Sequence, residues 1–148
     1  MAIEVEYLDD GKGALYKASG VLTGDELIAA NEGVMSRAIA EKSLLYAFFD
    51  CNGITGVSIS DIQLRRVADD DIMASRRMRS PVVVAIYAKD DIAFALSRMW
   101  MVYVETAGWT TSVFRRKSEA MTWLKGRVSA SFGVHAGLNS LAADAADP

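Results

Sequence analysis

The chain reads as an α/β domain with a mainly parallel five-stranded sheet, an opening β-hairpin followed by alternating helices and strands (ββαβαβαβα). Three observations predict it. Two short apolar runs, Leu44–Phe49 and Val82–Tyr87, are bounded by turn residues, as strands buried on both faces of a parallel sheet are. The segment from Ile3 to Leu8 alternates with a period of two. Between the strands lie stretches with helical spacing, and strands alternating with helices imply crossover connections.

In chain order, Ile3, Val5 and Tyr7 share one face of the first strand, and its glutamates face outward as on an exposed edge. Asp9–Gly13 is a turn, and Ala14–Val21 returns as the second strand of the hairpin. Thr23-Gly24-Asp25-Glu26 has the form of a capping box. Leu27, Val34 and Ala38, with Ile28, Met35 and Ile39, then form one apolar stripe of a helix ending near Glu41-Lys42.

The central strand from Leu44 is expected to break at Asn52-Gly53 and Gly56, with a helix starting at Ser58 or Ser60. Between Ser60 and Arg77 the pattern allows one helix or two, because Asp69-Asp70-Asp71 is a potential interruption. Pro81 closes that region. After the second buried strand, Asp90-Asp91 opens a helix to about Val104. Thr111–Phe114 is a short strand, and Ser118-Glu119 caps a last helix through Leu124, with Ala120, Met121 and Leu124 inward. Residues 1–126 are expected to form one domain, and the Gly/Ala-rich 127–148 a mobile tail.

With 148 residues, 51% hydrophobic and 24% charged, the chain has the composition of a well-cored single domain. Its formal net charge of -3 offers no bulk attraction to nucleic acid, and the scattered arginines at 65–66, 76–79 and 115–116 are balanced by acids. Neither apolar run approaches the length of a membrane span, and the first residues lack the pattern of a signal peptide. Cys51 is the only cysteine, so no intrachain disulfide is available and a cytoplasmic setting is expected.

Three local pieces resemble the SpoIIAA-like group of the STAS superfamily, named for sulfate transporters and anti-sigma factor antagonists. Pro81–Ile86 followed by Phe94–Met99 looks like the group's fourth strand and third helix. Val113-Phe114-Arg115 with Glu119-Ala120 and Trp123-Leu124 looks like its closing segment, and Thr-Gly-Asp-Glu-Leu at 23–27 like the opening of its first helix. The resemblance covers roughly residues 3–124 and implies the fold above. It also implies a regulatory serine at the start of the helix after the central strand, nearest Ser58. Here the chain reads Val57-Ser58-Ile59-Ser60-Asp61, without the glycine of the family's pattern.

Several residues carry possible chemistry. Ser58 and Ser60 could accept a phosphate at a helix start, or simply cap that helix. Asn52, Gly53 and Gly56 could hold an anion on backbone N–H groups, or form a plain turn. Asp50 and Cys51 close the central strand, where a thiol near a helix start can become reactive. His135, the only histidine, lies outside the expected domain, which argues against a histidine-based nucleophilic site and against zinc. No catalytic residue, metal or cofactor is assigned. On the helix from Asp90, the polar residues cluster on one arc that also contains Phe94 and Met101. Together with Arg98, Trp100 and Trp109 these define an expected interaction or ligand surface. The leading expectation is therefore a non-enzymatic interaction domain acting as a homodimer, with a regulatory protein as a further partner. The alternative is a module for an apolar or lipid-like small molecule, since STAS-like folds resemble lipid-exchange domains.

Overall fold

A computed structural model describes residues 2–134, 136 and 137. The strands are β1 (Ile3–Leu8), β2 (Gly13–Thr23), β3 (Tyr46–Ser58), β4 (Val83–Tyr87) and β5 (Thr110–Phe114). The helices are α1 (Gly24–Glu41), α2 (Asp61–Ser75), α3 (Asp91–Tyr103) and α4 (Lys117–Phe132). The sheet order is β1-β2-β3-β4-β5, with β1 antiparallel to β2 and every other pair parallel. The expected fold class is the one observed.

The two apolar runs do become adjacent interior strands, with Tyr46 opposite Val83 and Asp50 opposite Tyr87. Every residue of β4 is buried. Alternation along β3 and β4 sends Ala47, Cys51, Val84 and Ile86 to one face, and Tyr46, Phe48, Val83, Ala85 and Tyr87 to the other. The first face is covered by α1, α2 and α3, the second by α4.

Three expectations are corrected, and one open choice is settled. β3 does not break at Asn52-Gly53; it continues to Ser58, paired with the far half of β2. The glycines allow this by accommodating two register shifts in that ladder. At Gly53 a Cβ would sit 3.0 Å from the Ala18 carbonyl oxygen, and Gly20 takes a positive φ of 67° beside the second shift. The proposed anion-binding turn of Asn52, Gly53 and Gly56 is thus strand, its N–H groups not gathered around one point.

In α1, Glu26 N donates to Thr23 Oγ1 at 3.2 Å, but the Glu26 carboxylate accepts from Ala2 N at 2.8 Å instead of closing the capping box. The box appears at α2, where Ser60 Oγ accepts from Gln63 N and Gln63 Oε1 accepts from Ser60 N.

Residues 61–75 form one helix because the three aspartates face different ways. Asp69 is exposed, Asp70 pairs with Arg66 at 3.2 Å, and Asp71 is buried.

Finally, α4 starts at Lys117 without a side-chain cap and passes through Gly126 to Phe132. The boundary at 126 therefore falls inside a helix. Nothing lies within 4 Å of a Cβ added at Gly126, so it stands on open surface, and the helix continues because Val128 is fully buried. Glycine costs about 1 kcal/mol in a helix interior, less than burying a valine side chain contributes. Of the expected mobile tail, His135 and residues 138–148 lie outside the described residues.

Candidate functional site

The helices α1, α2 and α3 meet the sheet over a mixed floor, in which Ala47 on β3 and Ala93 on α3 lie among Tyr16, Leu22, Val84 and Ile86. Between these helices and the sheet lies a half-open cavity of about 100 Å³. Its wall runs from Leu44, just before β3, along the inner face of that strand through Ala47, Phe49 and Cys51 to Val57. The helices contribute Met35, Leu64, Leu96 and Trp100, and Trp109 enters from the segment before β5. The wall is overwhelmingly apolar.

A buried polar chain crosses this wall. Tyr16 O–H donates to Asn31 Oδ1 at 3.1 Å, and Asn31 Nδ2 donates to Asp71 Oδ1 at 2.7 Å. Trp100 Nε1–H donates to Asp71 Oδ2 at 2.9 Å. One carboxylate thus joins β2, α1, α2 and α3. Asp71 is 1% exposed. Burial pushes its pKa from 3.8 up to about 7, against the opposing pull of the bonds from Asn31 and Trp100. Burial also holds the Tyr16 phenol well above its ordinary value. Cys51, another wall residue, is raised to about 12, first by burial and then by Asp50 and Asp90. That is the reverse of an activated thiol, so Cys51 is neutral at physiological pH.

The expected surface residues separate. Trp100 is buried and Trp109 half-buried, and both line the cavity. Phe94 and Met101 are half-buried against the core, outside the cavity wall, with the Arg115 guanidinium 4.3 Å from the Phe94 ring centroid. Arg98 is exposed. The polar arc misplaced the outer face of α3 because two of its members are used locally. Asp90 caps the helix through Ala93 N at 3.0 Å, and Ser97 Oγ donates to the Ala93 carbonyl at 2.7 Å. The outward apolar residues are Ile92, Met99 and Val102, Val102 being 67% exposed.

Of the serines, Ser60 caps α2 and Ser58 is the exposed last residue of β3. Asp50 points to the α4 face, where it pairs with Lys117 Nζ at 3.1 Å and accepts from Asn52 N at 2.8 Å. Tyr87 O–H donates to Asn52 Oδ1 at 3.3 Å. Asp50 and Cys51 therefore lie on opposite faces of the sheet and form no common site.

Sequence reasoning passed over Tyr16, Asn31 and Asp71. The signal for two of them was present: Asn31 stands four residues from both Leu27 and Met35 on the apolar stripe of α1. Asp71 falls three residues after Ala68 and seven after Leu64 on that of α2. A polar residue on a buried stripe marks an internal hydrogen-bond partner.

Among the described residues no cluster of His, Cys, Asp and Glu has the makings of a metal site, and no helix is long and apolar enough to cross a membrane. No protein-family model matches the chain, and no curated protein does. Among solved structures, the chain is similar to an uncharacterized protein of the DUF3478 family with a SpoIIAA-like fold from Shewanella loihica PV-4. That similarity has a TM-score of 0.53 at 19% identity, covering 83% of this chain and 92% of the other. The chain therefore has the SpoIIAA-like fold that its local sequence pieces implied.

Proposed function

We propose that this domain works by binding rather than by catalysis, and that its ligand is a small apolar molecule held between the sheet and helices α1–α3. The observation that carries this reading is the apolar cavity of about 100 Å³. Native interiors are packed to crystal density, with voids seldom larger than a water molecule. A dry apolar cavity of this order takes up small hydrocarbons in other proteins. The neutral Cys51 and the fully hydrogen-bonded Asp71 carboxylate supply structure to the wall and no nucleophile. A lone buried thiol also suits the cytoplasm, where this reading sets the protein.

Titration with ethylbenzene, followed by calorimetry and by amide chemical shifts, tests the reading. One-to-one binding that shifts residues on α1, α2 and α3, and is lost when Ala47→Leu fills the floor, is the expected result. Failure to bind, or equal binding by the filled variant, would overturn it.

A second reading rests on a different observation. Ile92, Met99 and Val102 expose an apolar stripe on the outside of α3, suited to a second copy of the chain or to a regulatory protein. Light scattering should then give a dimer that Met99→Glu with Val102→Glu reduces to monomer. A monomer in both cases removes the homodimer.

A further inference from the structure

The buried polar chain belongs to the cavity as much as to the packing, because Tyr16, Asn31, Asp71 and Trp100 are all wall residues. At its centre is a carboxylate that no cation balances. None of the wall residues is Lys, Arg or His, and Asp71 is held by two neutral donors, Asn31 Nδ2–H and Trp100 Nε1–H. The second tryptophan of the wall, Trp109, adds no bond, since its indole N–H is buried without a partner among the described residues. A buried carboxylate with hydrogen bonds but no counter-charge loses much of its preference for the ionised form.

The groups around Asp71 leave it alone to respond near neutrality. The titratable groups facing it are Tyr16 from β2, with Tyr7 of β1 near that phenol, and Cys51 from β3 on the same wall. Burial holds the Tyr16 phenol well above its ordinary value and the Cys51 thiol at about 12, so neither changes charge near pH 7. From α1 and α3 come the uncharged Asn31 and Trp100. On its own helix, Asp70 pairs with Arg66, which also holds Glu32 of α1. Asp71 itself is raised to about 7.

Filling the cavity bears on that carboxyl without touching it. The cavity is half-open, so water has access to it. Water a few ångströms from an ion in a low-dielectric wall still stabilises the charge. A hydrocarbon expels that water and gives the ion nothing in return. Building on the binding reading above, we propose that the domain takes up its apolar ligand together with a proton: the cavity holds hydrocarbon when Asp71 is a neutral acid and favours water when Asp71 is a carboxylate. The proton comes from solvent and goes to a carboxyl oxygen of Asp71. The coupling is reciprocal, so the ligand strengthens the hold on the proton by the factor that the proton strengthens the hold on the ligand.

The test uses the full chain and ethylbenzene, a probe with no charge of its own to titrate. Its affinity should be about five- to tenfold higher at pH 5.5 than at pH 8.5. At pH 7, calorimetry in two buffers of different ionisation enthalpy should count about 0.3–0.4 proton taken up per ligand bound. The Asp71 carboxyl carbon resonance should titrate at higher pH in the saturated protein than in the free one. These three readouts need no variant to fold. Asp71→Asn should bind ethylbenzene with one affinity at both pH values and take up no proton. Equal affinities in the unaltered protein, no proton uptake, a carboxyl midpoint unmoved by the probe, or a pH dependence that survives in Asp71→Asn would overturn this proposal and leave the cavity reading standing. No binding at either pH would overturn both.

Discussion

The two faces of the sheet bury similar strands but are finished differently. Under α4 the strands offer Leu15, Tyr46, Phe48 and Tyr87, and one helix closes them with Ala120, Met121, Leu124 and Val128. Nearly all of these are at most 2% exposed. Under α1, α2 and α3 the strands mix Ala14, Ala18 and Ala47 with Tyr16, Leu22, Val84 and Ile86, and the polar chain from Tyr16 to Trp100 stands where hydrocarbon would be expected. Large residues from the sheet let a single helix seal one side. Three helices bridging a mixed floor leave a void on the other, where a buried carboxylate joins α2 to α1 and α3. The cavity is therefore local to one face and is no general looseness of the chain.

This contrast can be broken experimentally, beginning with the sealed face. Leu124→Ala should cost about 2–5 kcal/mol of unfolding free energy, because a close-packed site collapses poorly around a lost side chain. A loss below that range in denaturant titration would mean that the α4 face is loose as well.

Overpacking discriminates the faces more directly. Ala85→Leu, beneath α4, should destabilise by about 1–3 kcal/mol, whereas Ala47→Leu, on the cavity floor, should cost less than about 1 kcal/mol or stabilise. Equal penalties by thermal unfolding would dissolve the comparison.

The last expected effect is the dependence of stability on pH. The folded pKa of Asp71 is about 7 against 3.8 for the free group, so the folded state holds a proton that the unfolded chain releases. Stability from this group is complete below the unfolded value and is lost as pH rises through the folded one. Between pH 5 and 7 it should fall by about 2 kcal/mol. Asp71→Asn should flatten that slope, and a slope unchanged in the variant would place its origin elsewhere.

How much of this was legible beforehand depends on the distance over which each feature is decided. The paired interior strands, the helix from Thr23 to Glu41 and the closing Thr110–Phe114 strand follow from local patterns that tertiary contacts merely reinforce. The run at 52–58 misled because Asn and Gly also mark turns, and only the neighbouring β2, with its own shifts of register, makes them strand. On α3, Asp90 and Ser97 counted as solvent markers when both are satisfied by the helix's own backbone. The candidate site was half visible: Trp100 and Trp109 were singled out as an interaction or ligand surface, but with Phe94, Arg98 and Met101, which lie outside the cavity wall, and without Tyr16, Asn31 and Asp71.

The sequence by itself determined the order and kind of the elements, because period, caps and turn residues act within a few positions along the chain. Only the tertiary structure decided where the empty space lies and which polar atoms are used. A cavity is the difference between side-chain volumes brought together from β2, β3, α1, α2 and α3. Asp71 meets Asn31 across 40 positions and Trp100 across 29. Contacts of that range have no local periodicity to announce them, so a buried carboxylate among three aspartates, or a tryptophan with an unspent N–H, becomes visible only when the helices are laid on the sheet.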